Sequence, residues 1–496
     1  MIMKYISVEE FANKIGTSER NVRNYCVQGR IDGAVLKGKS WLIPEDASKP
    51  ERIGKSYLSN DEIINVNNLL SFIGESPNAF FAIDNVKKEL IKEGYKEVFE
   101  SSPHKIKKGD KVFFIRNGST LTALNIGKKA FPSFNVVAAH TDSPCFKIKP
   151  ESDSKSDIYN RINLAPYGGM LASTWLDRPL GIAGRVLIDK GDSIESKLVN
   201  LKDLTVMIPN LCIHFNRNAN SGYEYNMAVD LQAFISQEKD GEPLKDLLAK
   251  RLRIAKENII NFDLFTYNKE EGIVWGNDKE YISAPRLDDL ECVFASLEAF
   301  KKCDNTNGIN VLYLSDNEEV GSSSRQGADS DFLKTILSRV CRDLEFDYES
   351  SVANSFLISA DNAHAVHPNK VGITDANNKA YMNKGIAIKF NAAQTYTSDA
   401  LSSAIFQKIC KNVHVPYQFF TNRSDMRGGS TLGNILLSHI SFNSVDIGLP
   451  QLAMHSSYET AGSKDLTYAI KAFEEYYSSS IKISENNYKI ENNRDK

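Results

Sequence analysis

The pattern of apolar and polar residues changes its period along the chain, and each period predicts a different element. Residues 60–73 and 78–93 repeat their apolar positions at helical spacing, so they predict two helices. Residues 111–116 and 119–126 predict the strands of a hairpin that turns at an Asn-Gly pair. Residues 134–139 have the apolar composition of a buried strand. Helices and buried strands in one chain predict an α/β fold.

Residues 4–47 have the pattern of a small separate unit. A capping box, Ser7 with Glu10, begins a short helix, and a second helix follows over 19–28. Residues 34–44 then predict a hairpin that turns at a Lys-Gly pair. A helix, a turn, a second helix with a basic outer face and a hairpin resemble the excisionase-like, MerR-type winged helix-turn-helix modules.

The charge of this unit leaves two interpretations open. Residues 1–52 carry nine Lys and Arg against seven Asp and Glu, a small excess for a protein that must neutralise DNA phosphates. The unit is therefore either a DNA-binding module or a module that contacts protein. The candidate DNA contacts are Arg20, Arg23, Arg30, Lys37 and Lys39.

Length and composition indicate a soluble protein of several domains. At 496 residues the chain exceeds what one hydrophobic core usually holds. No apolar run approaches the roughly 18 residues of a membrane span, and charged residues interrupt the first 15 positions, so we expect a cytoplasmic protein without membrane contact. Seven cysteines without a paired spacing favour reduced thiols. The net charge of -3 gives no overall attraction to nucleic acid.

Potential metal ligands stand where strand-like runs end. His140, Asp361 and His455 each follow such a run. In open α/β sheets, sites lie outside the carboxyl ends of the strands, so these side chains are expected to meet. Asp142 would accept the second ring N–H of His140 and fix its tautomer. The alternative for a single histidine of this kind is a structural hydrogen bond.

The acidic run that contains Glu318 and Glu319 follows another strand pattern, at 310–314. Neighbouring side chains of an extended backbone point to opposite faces, so one glutamate is expected to bind a cation while the other faces the substrate. A solvated acidic loop is the alternative. Asp288 precedes a helical stretch, where it either bridges two cations or serves as an N-cap.

Two histidines and three carboxylates suit a pair of divalent ions such as Zn²⁺, Co²⁺ or Mn²⁺. Two such ions about 3.5–4 Å apart activate a water and stabilise the oxyanion formed by attack on a carbonyl. If Glu319 is a ligand, Glu318 is left as the general base. The residues alone thus point to metal-dependent hydrolysis.

Seven motifs together resemble the aspartyl aminopeptidase and aminopeptidase I family of dinuclear zinc exopeptidases, over about residues 60–480. The motifs are HTDSP at 140, YGGMLASTWLDRPL at 167, IPNLCIHFNRNAN at 208, SAPRLDDL at 283, DNEEVGSSSRQGA at 316, SADNAHAVHPN at 359 and PQLAMHSSYET at 450. The resemblance implies a mixed sheet sandwiched by helices, as in zinc exopeptidases, with an inserted, mostly-β oligomerisation domain.

The resemblance also implies the roles of site residues, by motif match. His140 and Asp361 would hold one metal, and Glu319 and His455 the other. Asp288 would bridge the two metals. The catalytic base and its supporting carboxylate would be Glu318 and Asp142.

Assembly and substrate preference are further implications of the resemblance. Family members commonly form a tetrahedral dodecamer, in which His214 would reach the site of a neighbouring subunit. Lys384 matches a position near the pocket, where an ammonium attracts the carboxylate of an N-terminal Asp or Glu; its alternative is an ordinary surface lysine. His364 is a further candidate for substrate contact. Arg427 and the two glycines that follow it are also expected to line the specificity pocket. Because these residues depart from the common family pattern, a preference for neutral N-terminal residues is the alternative.

We therefore predict a cytoplasmic aminopeptidase that removes N-terminal residues, acidic ones in particular, from peptides. The alternative is a DNA-binding regulator that uses an aminopeptidase scaffold for oligomerisation or ligand sensing, but a scaffold needs neither the ligands nor the base. The predicted segments are a winged helix-turn-helix module (1–50), the catalytic domain (56–150 and 283–483), the inserted oligomerisation domain (151–282) and a flexible tail (484–496).

Overall fold

The computed structural model describes residues 4–27, 30–38, 40–50, 57–238, 240, 242–303, 307–484 and 487–492. Its contacts divide the chain into two compact units, the first ending at Tyr57 and the second beginning at Leu58. Lys39, one of the predicted DNA contacts, lies outside the described residues.

The first unit consists of two helices and a three-stranded sheet of order β1-β3-β2. Its elements are β1 (Tyr5–Ile6), α1 (Val8–Ile15), α2 (Glu19–Val27), β2 (Val35–Lys37) and β3 (Ser40–Pro44). The predicted capping box begins α1, because Ser7 Oγ accepts the N–H of Glu10 and the Glu10 carboxylate accepts that of Ser7. Phe11, Val22 and Ile43 are fully buried in its core. The elements follow the predicted order, and their classification as a winged helix-turn-helix stays a prediction.

The second unit contains the remaining helices and strands. Its helices are α3 (Asn60–Glu75), α4 (Ala79–Lys92), α5 (Pro243–Leu252), α6 (Leu287–Lys302), α7 (Phe332–Leu344), α8 (Tyr348–Ala353), α9 (Ala400–Asn412), α10 (Leu432–Leu437) and α11 (Asp465–Tyr477). Its strands are β4 (Lys96–Glu97), β5 (Lys111–Arg116), β6 (Thr120–Ile126), β7 (Phe134–His140), β8 (Cys145–Ser156), β9 (Tyr159–Tyr167), β10 (Leu180–Asp189), β11 (Ile194–Asn200), β12 (Ala233–Gln237), β13 (Ile259–Asn268), β14 (Ile273–Trp275), β15 (Tyr281–Ala284), β16 (Ile309–Ser315), β17 (Phe356–Ala360), β18 (Ala363–His364), β19 (Ile386–Phe390), β20 (Tyr417–Thr421), β21 (Asn443–Gly448), β22 (Pro450–Leu452), β23 (Glu459–Gly462), β24 (Ser479–Ser484) and β25 (Asn487–Asn492).

A nine-stranded mixed sheet forms the centre of this unit, in the order β20-β19-β21-β17-β7-β16-β6-β5-β4. Strands β17, β7 and β16 are adjacent and parallel, so their carboxyl ends share one edge of the sheet. Residues of α3, α4, α6, α9 and α11 pack into one hydrophobic core and those of α7, α8 and α10 into another. A mixed sheet between two layers of helices agrees with the predicted fold class.

The inserted region forms a six-stranded antiparallel sheet of order β11-β10-β13-β8-β9-β12, with α5 and a core of its own. The sheet extends over 145–268 instead of the predicted 151–282. The difference arises because β8 begins directly after the HTDSP motif, while β14 and β15 join β23 in a five-stranded sheet. Its contacts keep the inserted sheet in the same unit as the central sheet.

The C-terminal segment forms a hairpin of β24 and β25, whereas its polar composition predicts a frayed tail over 484–496. Tyr488 and Ile490 pack against the large core, and this burial offsets the entropy lost on ordering the segment. Among the described residues, no helix combines the length and the apolar character needed to cross a membrane.

Candidate metal centre

Three parallel strands bring the first group of predicted site residues together. His140 is the last residue of β7, Asp361 directly follows β17, and the turn Glu318–Val320 follows β16. Because these strands are neighbours, side chains that are far apart in sequence converge at one sheet edge. One potential ligand atom from each of His140, Asp288 and Asp361 lies within 4.8 Å of the others.

Both histidines present Nε2 to the same carboxylate. His140 Nε2 lies 3.3 Å from Asp288 Oδ1, and His455 Nε2 lies 3.7 Å from Asp288 Oδ2. His455 Nε2 is also 3.4 Å from Glu319 Oε2. The Asp288 carboxylate therefore stands between the two imidazoles, with one oxygen towards each.

The other ring nitrogen of each histidine is held by a backbone carbonyl. Nδ1 lies 3.1 Å from the Asp142 carbonyl in His140 and 2.8 Å from the Gly169 carbonyl in His455. A carbonyl only accepts, so each Nδ1 carries a proton, and in the neutral ring Nε2 keeps its lone pair. Asp142 thus orients His140 chiefly through its main chain, since its side-chain Oδ1 is 3.5 Å from the same nitrogen.

Glu318 and Glu319 lie in a turn of 3₁₀ helix. Their main-chain N–H groups both donate to the Asp142 carboxylate, each over 3.1 Å. Both side chains line the same cleft, so the expectation that they face opposite ways is wrong. The reason is local, because successive residues of a 3₁₀ turn are rotated by about 120° instead of the 180° of a strand.

Asp288 is fixed at the start of α6 by its main chain. Its N–H donates to Glu459 Oε2 over 3.0 Å, and its carbonyl accepts the Ser143 hydroxyl over 2.7 Å. No side-chain hydrogen bond caps α6 at this end. Among the described residues, no donor hydrogen-bonds the buried Asp288 Oδ1. The carboxylate is thus not used as a helix cap, which leaves it for another partner.

Burial and mutual repulsion shift the pKa values of this cluster. Burial raises the pKa of Glu318 to about 8, and burial together with the charge of Asp288 raises that of Glu319 well above its ordinary value. Burial opposes the protonation of His140, but Asp142 and Asp288 still hold its pKa well above the usual range. The centre therefore favours bound positive charge, which a divalent cation provides compactly.

A cleft opens over these carboxylates, and one of the residues that line it is a lysine to which the sequence gave no role. Lys389 is buried, with Nζ 3.6 Å from Asp361 Oδ1, and its pKa is raised because Asp361 outweighs the effect of burial. Lys384, the predicted pocket ammonium, is exposed in the turn before β19 and does not line this cleft. The signal for Lys389 was a single charge inside the apolar strand Ile386–Phe390.

Other predicted contacts lie in different places. His364 lines the cleft with the metal-site residues. His214 is exposed in the inserted region and does not line the cleft of its own chain. The DNA candidates of the first unit include Arg20, Arg23 and Lys37, which are exposed. Arg23 pairs with Glu19 over 2.7 Å, and DNA contact by this unit stays a prediction.

Two further carboxylates support the centre, and sequence reasoning gave them no role. Glu459 accepts the main-chain N–H of both Asp288 and His455. Asp289 Oδ2 accepts the main-chain N–H of His140 over 3.1 Å. Proximity in sequence to Asp288 and His455 was the only signal for either, because their role lies in contacts with the backbone of distant segments.

The cluster fits a pair of divalent cations. When both imidazoles are neutral, their Nε2 atoms and the oxygens of Asp288 and Glu319 are acceptors that face one another, and a cation between them would satisfy all of them. Imidazole nitrogens and carboxylates are the ligands that zinc and related divalent ions take. The orphaned, buried Asp288 Oδ1 is the observation that such a cation explains best.

A mixed α/β sheet with a cluster of histidine and carboxylate side chains at its strand ends is the arrangement expected of a metal-dependent hydrolase. The sequence profile of the family described as aminopeptidase I zinc metalloprotease (M18) matches residues 72–477. The chain therefore belongs to the M18 family of zinc metalloaminopeptidases.

Relatives and solved structures agree with this assignment. A probable M18 family aminopeptidase 2 of Clostridium novyi is 45% identical over 425 residues, which cover 83% of this chain and 98% of the relative. Ape4 in its complex with Nbr1 superposes with a TM-score of 0.81 at 32% identity, covering 84% of this chain and 86% of Ape4. The mApe1 dodecamer of S. cerevisiae gives 0.75 at 29% identity, covering 84% of this chain and 97% of mApe1. The alternative of a DNA-binding regulator has no support from these proteins.

Proposed function

We propose that the protein removes N-terminal residues from peptides with two divalent cations, Zn²⁺ in the first place and Co²⁺ or Mn²⁺ as alternatives. The observation that carries this proposal is the Asp288 carboxylate, whose oxygens face Nε2 of two different histidines at 3.3 and 3.7 Å. One cation would be held by His140 and Asp361 and the other by His455 and Glu319, with Asp288 shared between them.

Divalent ions at this position would supply Lewis acidity, which would polarise the scissile carbonyl and lower the pKa of water. Glu318 lines the cleft beside the proposed ligands and is not one of them. It accepts a proton from the attacking water and returns this proton to the peptide nitrogen as the C–N bond breaks. Asp142 holds Glu318 in place by accepting the main-chain N–H of its turn.

An acidic N-terminal residue is the substrate that the cleft suits best. The Lys389 ammonium lies in the cleft, beside Asp361 and 5.5 Å from the centroid of the Tyr396 ring. A cation on Asp361 would offset the negative charge of this carboxylate, so Lys389 would attract the side chain of Asp or Glu. Preference for neutral residues is the alternative, which follows if Asp361 keeps Lys389 neutralised.

A homo-oligomer is the assembly that we propose. Apolar side chains are exposed in the segment 209–232 of the inserted region, and Phe215 is the most open of them with 81% of its surface exposed. Contiguous exposed apolar surface marks interaction sites. The solved mApe1 structure with a TM-score of 0.75 is a dodecamer. A second copy that covers this segment would bring His214 towards the cleft of its neighbour.

The proposal is tested by hydrolysis of aminoacyl chromogenic substrates with acidic, neutral and basic residues, before and after chelation and after restoring zinc or cobalt. We expect chelator-sensitive cleavage that is fastest with Asp and Glu. Glu318→Gln should lose activity with its metal still bound, while Glu349→Gln, which changes an exposed glutamate of α8, should retain it.

Two other outcomes would each contradict one part of the proposal, either the acidic preference or the metal chemistry. Fastest cleavage of neutral residues would discard the role of Lys389 and keep the metal chemistry. Full activity after complete removal of metal would discard the metal chemistry itself.

A further inference from the structure

The short segment 167–171 connects the inserted sheet to the candidate centre. It begins at Tyr167, the last residue of β9, and continues through Gly168, Gly169 and Met170 to Leu171. We propose that this segment, the strap, positions the Glu318–Glu319 turn and His455, so that the inserted sheet sets the geometry of the site. The inference rests on the proposed function, because it concerns the same site.

The first contact of the strap is made by the Tyr167 phenol. Its hydroxyl donates to Asp142 Oδ2 over 2.7 Å. The same carboxylate accepts the main-chain N–H groups of Glu318 and Glu319, each over 3.1 Å. Three donors on one buried carboxylate fix its orientation, and charge-assisted bonds of this kind are stronger than neutral ones. Tyr167 therefore acts on Glu318 through Asp142 and is a positioning residue.

The second contact ties the phenol to the residue that precedes the two glutamates. Asn317 Nδ2 donates to the Tyr167 oxygen over 2.8 Å. Asn317 has a φ of 63°, and its Oδ1 accepts bonds from Ser324 and Gln326 in the same loop. The phenol thus bridges Asp142 and Asn317, the two residues that fix the glutamate turn from either side.

The third contact is a close approach that favours glycine. At Gly168 φ is +77°, and a Cβ atom built there would lie 3.1 Å from Glu319 Cβ and 3.3 Å from Pro144 Cα. Both the left-handed backbone and the tight space disfavour a side chain at this position. The strap is therefore packed directly against the residue proposed to bind the second cation.

The fourth contact orients the second histidine. The Gly169 carbonyl accepts the Nδ1 proton of His455 over 2.8 Å, and the Leu171 N–H donates to the His455 carbonyl over 2.9 Å. His455 itself has a φ of 67°, an uncommon conformation for a residue with a side chain. Bonds at both its ring and its main chain hold it there, so that Nε2 faces Asp288 and Glu319.

The strap can transmit the position of the inserted sheet because it is anchored in that sheet. Tyr167 pairs with Cys145 in the register of β8 and β9, and its ring packs edge-on against Phe265 of β13 at 5.6 Å between centroids. On its other side the strap contacts Asp142, Asn317, Glu319 and His455. A shift of the inserted sheet would therefore move the base and one ligand together.

The test compares Tyr167→Phe with Tyr159→Phe, which removes a hydroxyl at the exposed, opposite end of the same strand. Partners that orient metal ligands typically change affinity or activity by about 10- to 100-fold. We expect Tyr167→Phe to lower kcat at least tenfold with KM within twofold, and to weaken Zn²⁺ binding in competition with a chelator or change the visible spectrum of the Co²⁺-substituted protein. Tyr159→Phe should match the wild type in all of these.

Asn317→Gly keeps the left-handed backbone accessible and removes the amide from the phenol. Because both side chains act on one turn, the double variant Tyr167→Phe/Asn317→Gly should lose less than the product of the two single losses. The inference is overturned if kcat, Zn²⁺ affinity and the Co²⁺ spectrum of Tyr167→Phe all equal those of Tyr159→Phe. If the wild type binds zinc and cleaves no aminoacyl substrate, the proposed function is overturned instead. In that case the Zn²⁺ affinity and the Co²⁺ spectrum of Tyr167→Phe would still test whether the strap positions the site.

Discussion

The two halves of the candidate centre are built in different ways. His140 and Asp361 stand at the ends of neighbouring parallel strands, where the topology of the central sheet fixes them. His455 follows a loop, keeps a third of its side chain exposed and is held by the strap and by Glu459. The first half is a property of one sheet, whereas the second depends on contact between two sheets. We therefore expect the second half to be the one that can be adjusted without loss of the fold.

The largest effect should come from Asp288, which belongs to both halves. Asp288→Ala removes the shared carboxylate, so we expect neither cation to bind tightly and hydrolysis to fall to background. Wild-type protein should melt at a lower temperature after chelation, because a ligand that binds only the folded state stabilises it. The variant should show no such shift. If Asp288→Ala still binds two zinc ions tightly, the Asp288 carboxylate is not shared between the two cations.

Removal of the proposed base should slow turnover strongly and leave both halves intact. Glu318→Gln keeps the size of the side chain and loses its ability to take up a proton. General bases contribute about 10²- to 10⁴-fold, so kcat should fall within this range. Metal content measured by mass spectrometry should equal that of the wild type. An unchanged kcat would exclude Glu318 as the base.

A small change on the strap side should affect the second half alone. Gly168→Ala forces a methyl group against Glu319 and Pro144, so we expect at least tenfold lower kcat and weaker binding of one of two zinc ions. Gly74→Ala makes the same change in α3, where no atom lies within 4 Å of the new methyl group, and should leave kcat unchanged. If the two variants have equal kinetics and equal zinc titrations, the second half of the centre does not depend on the strap.

The smallest effect should be on substrate choice. Lys389→Met removes the ammonium in the cleft, and bonds to charged groups are worth about 1.5–3 kcal/mol, so kcat/KM for Asp relative to Ala substrates should drop at least tenfold. Lys384→Met should leave this ratio unchanged, because Lys384 is exposed and outside the cleft. If Lys384→Met lowers this ratio and Lys389→Met does not, Lys384 is the residue that selects acidic substrates, as the sequence motif indicated.

The meeting of side chains at the strand ends is the part of the candidate site that the sequence predicted best. Apolar runs that stop at His140 or Asp361 combine a local pattern with a general property of α/β sheets, and no long-range information is needed. Lys389 was not predicted because its strand has the apolar pattern of a buried core strand, in which a charged side chain is not expected. The contacts of Glu459 and of the strap were not predicted either. They involve backbone groups of segments up to 286 residues apart, which a local sequence pattern does not reveal.

The same limit explains why the geometry of the two glutamates and the extent of the inserted sheet were not predicted. The spacing of two adjacent glutamates suggested opposite faces, but Asp142 draws their N–H groups into a turn of 3₁₀ helix. The inserted sheet begins at Cys145 because β8 continues straight from the HTDSP motif, without any change in composition to mark the boundary. Tertiary hydrogen bonds decide such details, and local preference only restricts them.

The most direct test of the account is anomalous diffraction at the zinc absorption edge from crystals of the zinc-loaded enzyme. We predict two peaks per chain, one beside His140 and Asp361 and the other beside His455 and Glu319, with the Asp288 carboxylate between them. A single peak, or two peaks of which neither contacts Asp288, would contradict the shared-carboxylate centre.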